Sequence, residues 1–143
     1  MKKITALLLA AILLLNFTQM ICFAEEEPPE TGVIIEEYVN IRSVSVSLSI
    51  NSSGTATIDI MCIGFSGTTH ISSNTYLQKW NGSTWVRVNI NGATKISEEV
   101  DAAFLSRTYT TTVGSGKYRV ATVFTVTRGS DEIVTVRSSP VTH

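Results

Sequence analysis

TYLQKWNGSTWVRVNI, residues 75–90, is the stretch of sequence that decides the fold. Two runs of alternating side chains flank residues 81–84 (NGST), which are residue types common in tight turns. Alternation of apolar and polar residues with a period of two is typical of a half-buried β-strand. The stretch therefore predicts a β-hairpin with one tryptophan on each side of its turn.

A four-residue turn at 81–84 fixes which side chains of this hairpin share a face, because side chains alternate between the two faces of a strand. Three facing pairs result and form the candidate binding face: Trp80 with Trp85, Gln78 with Arg87, and Tyr76 with Asn89. The other side is mostly apolar and is expected to face the core: Thr75, Leu77, Val86, Val88 and Ile90, with Lys79 opposite Val86.

The two tryptophans have three possible roles. Flat aromatic rings among amide and guanidinium groups can stack on sugar rings or anchor a protein partner. A cross-strand pair can instead only stabilise the hairpin, by about 0.2–1 kcal/mol. A turn of another length would place Trp80 in the core, like the tryptophan of immunoglobulin strand C.

Working outward, the same period of two recurs along the chain. Seven strands are predicted at intervals of about ten residues, within 44–50, 56–62, 71–77, 86–90, 103–109, 118–126 and 133–136. Val39 and Ile41 are out of phase with Val44, which predicts a bulge near residues 42–43. The sequence leaves open which face of 103–109 points inward. Residues 95–103 are the least strand-like, and 97–99 (SEE) are expected to cap a helical turn.

These patterns predict an all-β fold, an antiparallel immunoglobulin- or fibronectin-III-like β-sandwich of about seven strands, preceded by a signal-peptide helix. Tyr118 follows the glycine corner at 113–116 and enters a strongly alternating strand. It is either the tyrosine corner of an immunoglobulin-like fold or an ordinary core residue.

The N-terminal sequence predicts export. Lys2 and Lys3 precede an apolar run at 4–15, and Ala24 is a small residue suited to cleavage, which is the layout of a secretory signal peptide. We expect a signal peptide at 1–24, an acidic proline-containing linker at 25–37, and the β-sandwich at 38–143. The mature protein is expected to be secreted, without a membrane attachment once the signal is removed.

Two motifs carry a resemblance to a known family. YLQKWNGSTW at 76–85 and SRTYTTTVGSGKYRVATVFTV at 106–126 resemble sequences of small uncharacterised exported proteins from Gram-positive, largely gut-dwelling anaerobes. Members typically pair a signal peptide with a TxxYLQKxxGSxW-like hairpin and an SGxYRVxxxF strand. The resemblance covers residues 44–143 and implies export and a β-fold, but it transfers no functional residues.

Few residues have the chemistry of a catalytic site. A catalytic triad would combine His70 with one of three aspartates, Asp59, Asp101 or Asp131. No G-x-S-x-G nucleophile elbow accompanies them, and the glycines at 114–116 lead into a strand rather than a phosphate-binding helix. We therefore expect that the protein is not an enzyme and that it binds no cofactor.

The sequence also gives little support for a metal site. Cys62 and His70 lack further ligands at zinc spacing, and the acidic segment 98–101 lacks the pattern of a calcium loop. Cys62 is the only cysteine after cleavage, so it is either a buried, inert thiol or a partner in an intermolecular disulfide.

The sequence thus predicts an exported, non-catalytic module that binds a glycan or a surface protein through the candidate binding face. From residue 38 onward, nine basic and six acidic residues are spread without a cluster, which argues against a nucleic-acid partner. The alternative is a structural module that self-associates through an edge strand or Cys62, and a hydrolase is the least favoured function. Neither the ligand nor the oligomeric state follows from the sequence.

Overall fold

The computed structural model describes residues 38–143, which form nine β-strands. They are β1 (Ile41–Ile50), β2 (Thr55–Gly64), β3 (His70–Trp80), β4 (Trp85–Val88), β5 (Ile96–Val100), β6 (Phe104–Thr112), β7 (Lys117–Arg128), β8 (Ser130–Arg137) and β9 (Val141–Thr142). Residues 38–143 contain no helix that could cross a membrane. The predicted signal peptide and acidic linker lie outside the described residues.

The strands form two antiparallel sheets. One has the order β1-β2-β6, and the other has the order β4-β3-β7-β8, with β5 also paired to β3 and β9 to β7. In immunoglobulin sandwiches, strands A, B and E share one sheet while C, F and G share the other. Here β1, β2 and β6 pair as A, B and E, and β3, β7 and β8 pair as C, F and G. The predicted all-β antiparallel sandwich is confirmed.

A single apolar core lies between the inner faces of the two sheets. The predicted inward residues of three strands are all buried, namely those of β2 (Ala56, Ile58, Ile60, Cys62), β3 (Ile71, Ser73, Thr75, Leu77) and β7 (Tyr118, Val120, Thr122, Phe124, Val126). In β6 the structure decides the open question, because Leu105 is buried and Phe104 is exposed. Alternation along each strand therefore supplies the core.

Two strands, β5 and β9, were not predicted, and β5 replaces the helical turn expected at 97–99. The β4 ladder covers only residues 77–80 of β3, so the edge of β3 at 71–75 needs another partner. β5 pairs there, from Ile71 with Val100 to Thr75 with Ile96. The prediction of a helical turn was wrong because pairing with an unfilled sheet edge outweighs a weak local capping signal.

The start of the domain is tied to the hairpin of β7 and β8 by one carboxylate. Glu132 accepts hydrogen bonds from the backbone N–H groups of Val39, Asn40 and Ile41 at 2.8, 2.7 and 3.1 Å. The Asn40 side chain in turn donates to the carbonyl of Val126 at 3.1 Å. Two residues of β1 then face one of β2 between Ile41 and Ser43, which confirms the predicted bulge.

The tyrosine corner is formed at the beginning of β7. Tyr118 is buried, and its hydroxyl donates a hydrogen bond to the carbonyl of Gly114 at 3.0 Å. This bond runs back over the turn to a residue a few positions upstream, as in immunoglobulin-like domains. Tyr118 therefore belongs to the core and also fixes the corner that precedes β7.

Gly54 closes the turn between β1 and β2 and permits a direct test of this packing. Its φ is +81°, and a Cβ there would lie 2.6 Å from the carbonyl oxygen of Val113. We expect Gly54→Ala to lower the free energy of unfolding by about 2 kcal/mol, because left-handed strain and a backbone clash add together. Urea denaturation measures the effect.

Gly114→Ala is the matched control, since a Cβ at Gly114 meets nothing within 4 Å and its φ is not left-handed. Its free energy of unfolding should stay within about 0.5 kcal/mol of the parent protein. Equal losses in the two variants would contradict the assigned packing at Gly54.

Candidate functional site

The β3–β4 hairpin has the predicted register. Trp80 faces Trp85 and Gln78 faces Arg87, while Asn81 N–H donates to the Thr84 carbonyl at 3.1 Å across the turn. Asn81 Oδ1 also accepts the backbone N–H groups of residues 83 and 84. The buried side chains of β3 are those of residues 71, 73, 75 and 77. Trp80 lies in the opposite phase of the strand, so a position in the core is excluded for its side chain.

The hairpin departs from prediction at its two ends. Val86 was expected in the core but is 45% exposed, because it lies near the hairpin tip beyond the reach of the opposite sheet. The expected pairing of Tyr76 with Asn89 lies outside the ladder, which ends at Val88. There the chain leaves β3, buries Ile90, and turns at Asn91, whose side chain donates to the Thr110 carbonyl of β6 at 2.7 Å.

Arg119 of β7 joins the hairpin residues on the outer face of the six-stranded sheet. It pairs with Gln78 in the β3–β7 ladder, and its Nε donates to Gln78 Oε1 at 2.8 Å. Its guanidinium carbon lies 4.4 Å from the centroid of the Trp85 ring. The side chain thus reaches across β3, and its residue is only 9% exposed.

The aromatic rings and guanidinium groups form a continuous cluster. The Trp80 and Trp85 centroids are 5.4 Å apart with planes tilted by 56°. The guanidinium carbon of Arg87 lies 3.9 Å from the centroid of the Tyr76 ring. All three rings are half-buried, whereas Arg87 is exposed. We call these residues the aromatic–arginine cluster: Tyr76, Gln78, Trp80, Trp85, Arg87 and Arg119.

Of the six predicted face residues, the structure brings five together, and Asn89 is exposed just past the end of β4. Arg119 was not predicted. Its neighbours Tyr118 and Val120 marked β7 as a core strand, so Arg119 could be assigned to the outer face by parity. Its place beside Gln78 depends on the pairing of β3 with β7, which no local signal gives.

Charges on the outer face of this sheet are segregated along the strands. Pairing places Arg137 of β8 in one row with Ala121 and Tyr76, and Arg87 in one row with Gln78 and Arg119. Basic residues therefore gather at the hairpin end: Arg87, Lys117, Arg119 and Arg137. Acidic residues occupy the other end: Glu99 opposite Ser72, Asp131 opposite Thr127, and Asp101 beside His70.

His70 meets one of its three candidate aspartates. Its Nδ1 lies 2.8 Å from Asp101 Oδ1, and the two side chains are 34% and 92% exposed. The other two carboxylates accept hydrogen bonds from threonines, Asp59 from Thr108 and Asp131 from Thr127. The His70–Asp101 pair is thus a surface contact with a carboxylate that is almost fully solvated.

The acidic residues considered for calcium do not converge. Glu98 pairs with Arg107 of β6 at 3.2 Å, while Glu99 lies in the opposite phase of β5 and is exposed. Asp101 instead contacts His70. Within residues 38–143, no group of three or more His, Cys, Asp or Glu side chains could hold a metal ion.

The single cysteine of the sandwich is a buried free thiol on the inner face of β2. A disulfide between chains would require this strand to leave the core, which removes that option for the native fold. Burial raises the pKa of the Cys62 thiol to about 12. The native thiol therefore stays protonated and unreactive at neutral pH.

The raised pKa of Cys62 predicts a loss of stability at high pH. The unfolded thiol ionises near pH 8.5 while the folded thiol keeps its proton, so the free energy of unfolding falls above pH 8.5. Between pH 8 and pH 10 we expect the parent protein to lose about 2 kcal/mol more than Cys62→Ala does. Urea denaturation at the two pH values measures this difference, and parallel losses would contradict it.

Both tryptophans of the sequence lie in the cluster, so tryptophan fluorescence reports on the cluster alone. We expect Arg119→Ala to raise the acrylamide quenching constant, because it uncovers the Trp85 ring. Arg42→Ala removes an equal charge from an exposed position on β1 and should leave quenching unchanged. Unchanged quenching in Arg119→Ala would contradict the stacking of Arg119 on Trp85.

Comparison of the chain with protein-family models, curated proteins and solved structures finds no match. The resemblance to exported proteins of Gram-positive anaerobes stays a prediction.

Proposed function

We propose that this protein is an exported, non-catalytic β-sandwich module that binds an extracellular ligand through the aromatic–arginine cluster. The signal-peptide pattern at 1–24 supports export and release from the membrane. The observation that carries the binding role is the grouping of three aromatic rings and two arginines on the outer face of the six-stranded sheet.

Cross-strand stabilisation accounts for part of this arrangement. The Trp80–Trp85 contact stabilises the hairpin, as a contact between facing aromatic rings does. Hairpin stability alone does not require Arg119 to cross a neighbouring strand and place its guanidinium on Trp85. The contacts hold the rings in fixed orientations, and pre-organised side chains lose less conformational entropy when a ligand binds.

The cluster offers the contacts that saccharides use. The half-buried indole rings can pack against the C–H face of a sugar ring, and Gln78 and Arg87 can hydrogen-bond to its hydroxyl groups. The same rings and guanidinium groups are those found at hot spots of protein interfaces. A glycan is our first candidate for the ligand and a surface protein the second.

A non-catalytic role accords with the environment of His70. A catalytic histidine is usually oriented by a buried carboxylate, whereas Asp101 is 92% exposed. The burial of Cys62 in the native fold argues against self-association through a disulfide. Self-association through an edge strand such as β1 stays a prediction.

Binding can be tested on an array of immobilised extracellular polysaccharides and surface proteins with the purified protein. We expect Trp80→Ala and Trp85→Ala each to weaken binding at least tenfold, since truncation of a hot-spot ring costs about 2 kcal/mol or more. Phe104→Ala is the matched control, because Phe104 is an exposed aromatic residue on β6 of the other sheet. Ligands that bind all the variants as tightly as the parent protein would refute the proposed site.

A further inference from the structure

We infer that the ligand of the aromatic–arginine cluster is an anionic saccharide, one whose sugar rings carry carboxylate or sulfate groups. This inference rests on the proposed binding function and assigns the chemical class of its ligand. It follows from the charges around the cluster and from the groups that the outer face leaves accessible.

The first observation is the pair of exposed arginines beside the rings. Arg87 of β4 pairs with Gln78 of β3. On the other side of β3, Tyr76 pairs with Ala121 of β7, and Ala121 pairs with Arg137 of β8. With neighbouring strands about 4.8 Å apart, the Cα atoms of Tyr76 and Arg137 are separated by about 10 Å. The two ion pairs formed within residues 38–143, His70–Asp101 and Glu98–Arg107, use neither arginine.

The second observation is that, within residues 38–143, the acidic residues of the outer face lie far enough away to leave this charge in place. The rows of Ser72 and Gln78 are six residues apart along β3, or about 20 Å at 3.3 Å per residue. That is more than twice the Debye length of about 8 Å at physiological salt, so Glu99 and Asp131 do not neutralise Arg87. The acidic end instead repels an anion and confines it to the hairpin end.

The third observation separates a saccharide from an acidic peptide. β3 and β7 are both paired on each side, so an extended peptide could pair only with edge strands such as β4 and β8 and not across the face itself. The face presents only side chains: rings, an amide and guanidinium groups. A charged sugar uses all three, since its C–H face packs on a ring and its anionic group accepts two hydrogen bonds from one guanidinium.

The geometry gives each residue a separate role. Arg119 packs its guanidinium on one face of the Trp85 ring and donates to Gln78, so it holds both side chains in place. Trp80 and Trp85 form the surface on which a sugar ring packs. Arg87 and Arg137 flank this surface and bind the anionic groups of the saccharide.

The inference is tested with two matched pairs of polymers, using the purified protein and isothermal titration calorimetry. Polygalacturonate is compared with its fully methyl-esterified form, and dextran sulfate with dextran, so each pair shares a backbone and differs in charge. We expect at least one anionic polymer to bind at least tenfold more tightly than its neutral counterpart, and to bind more weakly as NaCl is raised.

Variants assign this binding to the cluster. Arg87→Gln and Arg137→Gln should each weaken the anionic polymer about tenfold, and Trp85→Ala should weaken it as well. Arg42→Gln, at an exposed position on β1 of the other sheet, removes an equal charge away from the face and should leave binding unchanged. Circular dichroism of every variant checks that the sandwich remains folded.

Other outcomes would each contradict a stated part of the inference or of the proposed function. Equal, Trp85-dependent binding of charged and neutral polymers would overturn the anionic class and leave the proposed function standing. Poly-L-glutamate bound as tightly as the anionic polysaccharides would overturn the saccharide class. Binding that is unchanged in both arginine variants would overturn the anionic-saccharide inference, as would failure of both anionic polymers to bind. If no ligand on the array depends on Trp80 or Trp85, the proposed function fails as well.

Discussion

The structure depends on the antiparallel ladder between β3 and β7, which runs through ten consecutive pairs from His70–Thr127 to Lys79–Tyr118. Because side chains alternate across each strand, this ladder builds two surfaces at once. Its inner side buries Ile71, Leu77 and Phe124 against the other sheet. Its outer side aligns Gln78 with Arg119 and so assembles the candidate site. A slip of one residue would exchange the two surfaces, so the packing of the core holds the site in register.

The same strand therefore contributes to both the core and the candidate site. In β7, Tyr118 closes the corner with Gly114, Arg119 covers Trp85, and Val120 is fully buried. The other edge of β3 is also paired. β5 and β4 divide the free edge of β3 between them, and the chain between them inserts Ile90 into the core. The hairpin can project beyond the sandwich because its base is fixed in this way, which also explains why Val86 is exposed.

Local sequence signals predicted the parts of the site that lie close together along the chain. The turn at 81–84 set the Trp80–Trp85 pair, since a short turn determines the register of its own hairpin. The buried phases of β2, β3 and β7 followed from apolar residues at alternate positions. Prediction failed for β5, where an acidic stretch with a capping pattern pairs as a strand. There a vacant edge of β3 decided the outcome, and that edge is formed by distant residues.

The sequence by itself determined the all-β class, the turns and the hairpin register. It also determined the inward phase of the strands with clear alternation. Each of these features depends on residues a few positions apart. Only the tertiary structure decided which face of β6 points inward, that Arg119 lies on Trp85, and that Arg137 shares a row with Tyr76. The two residue pairs, Arg119 with Trp85 and Arg137 with Tyr76, are 34 and 61 positions apart in the sequence. Their register is set by how the two sheets pack together, and no short-range pattern encodes it.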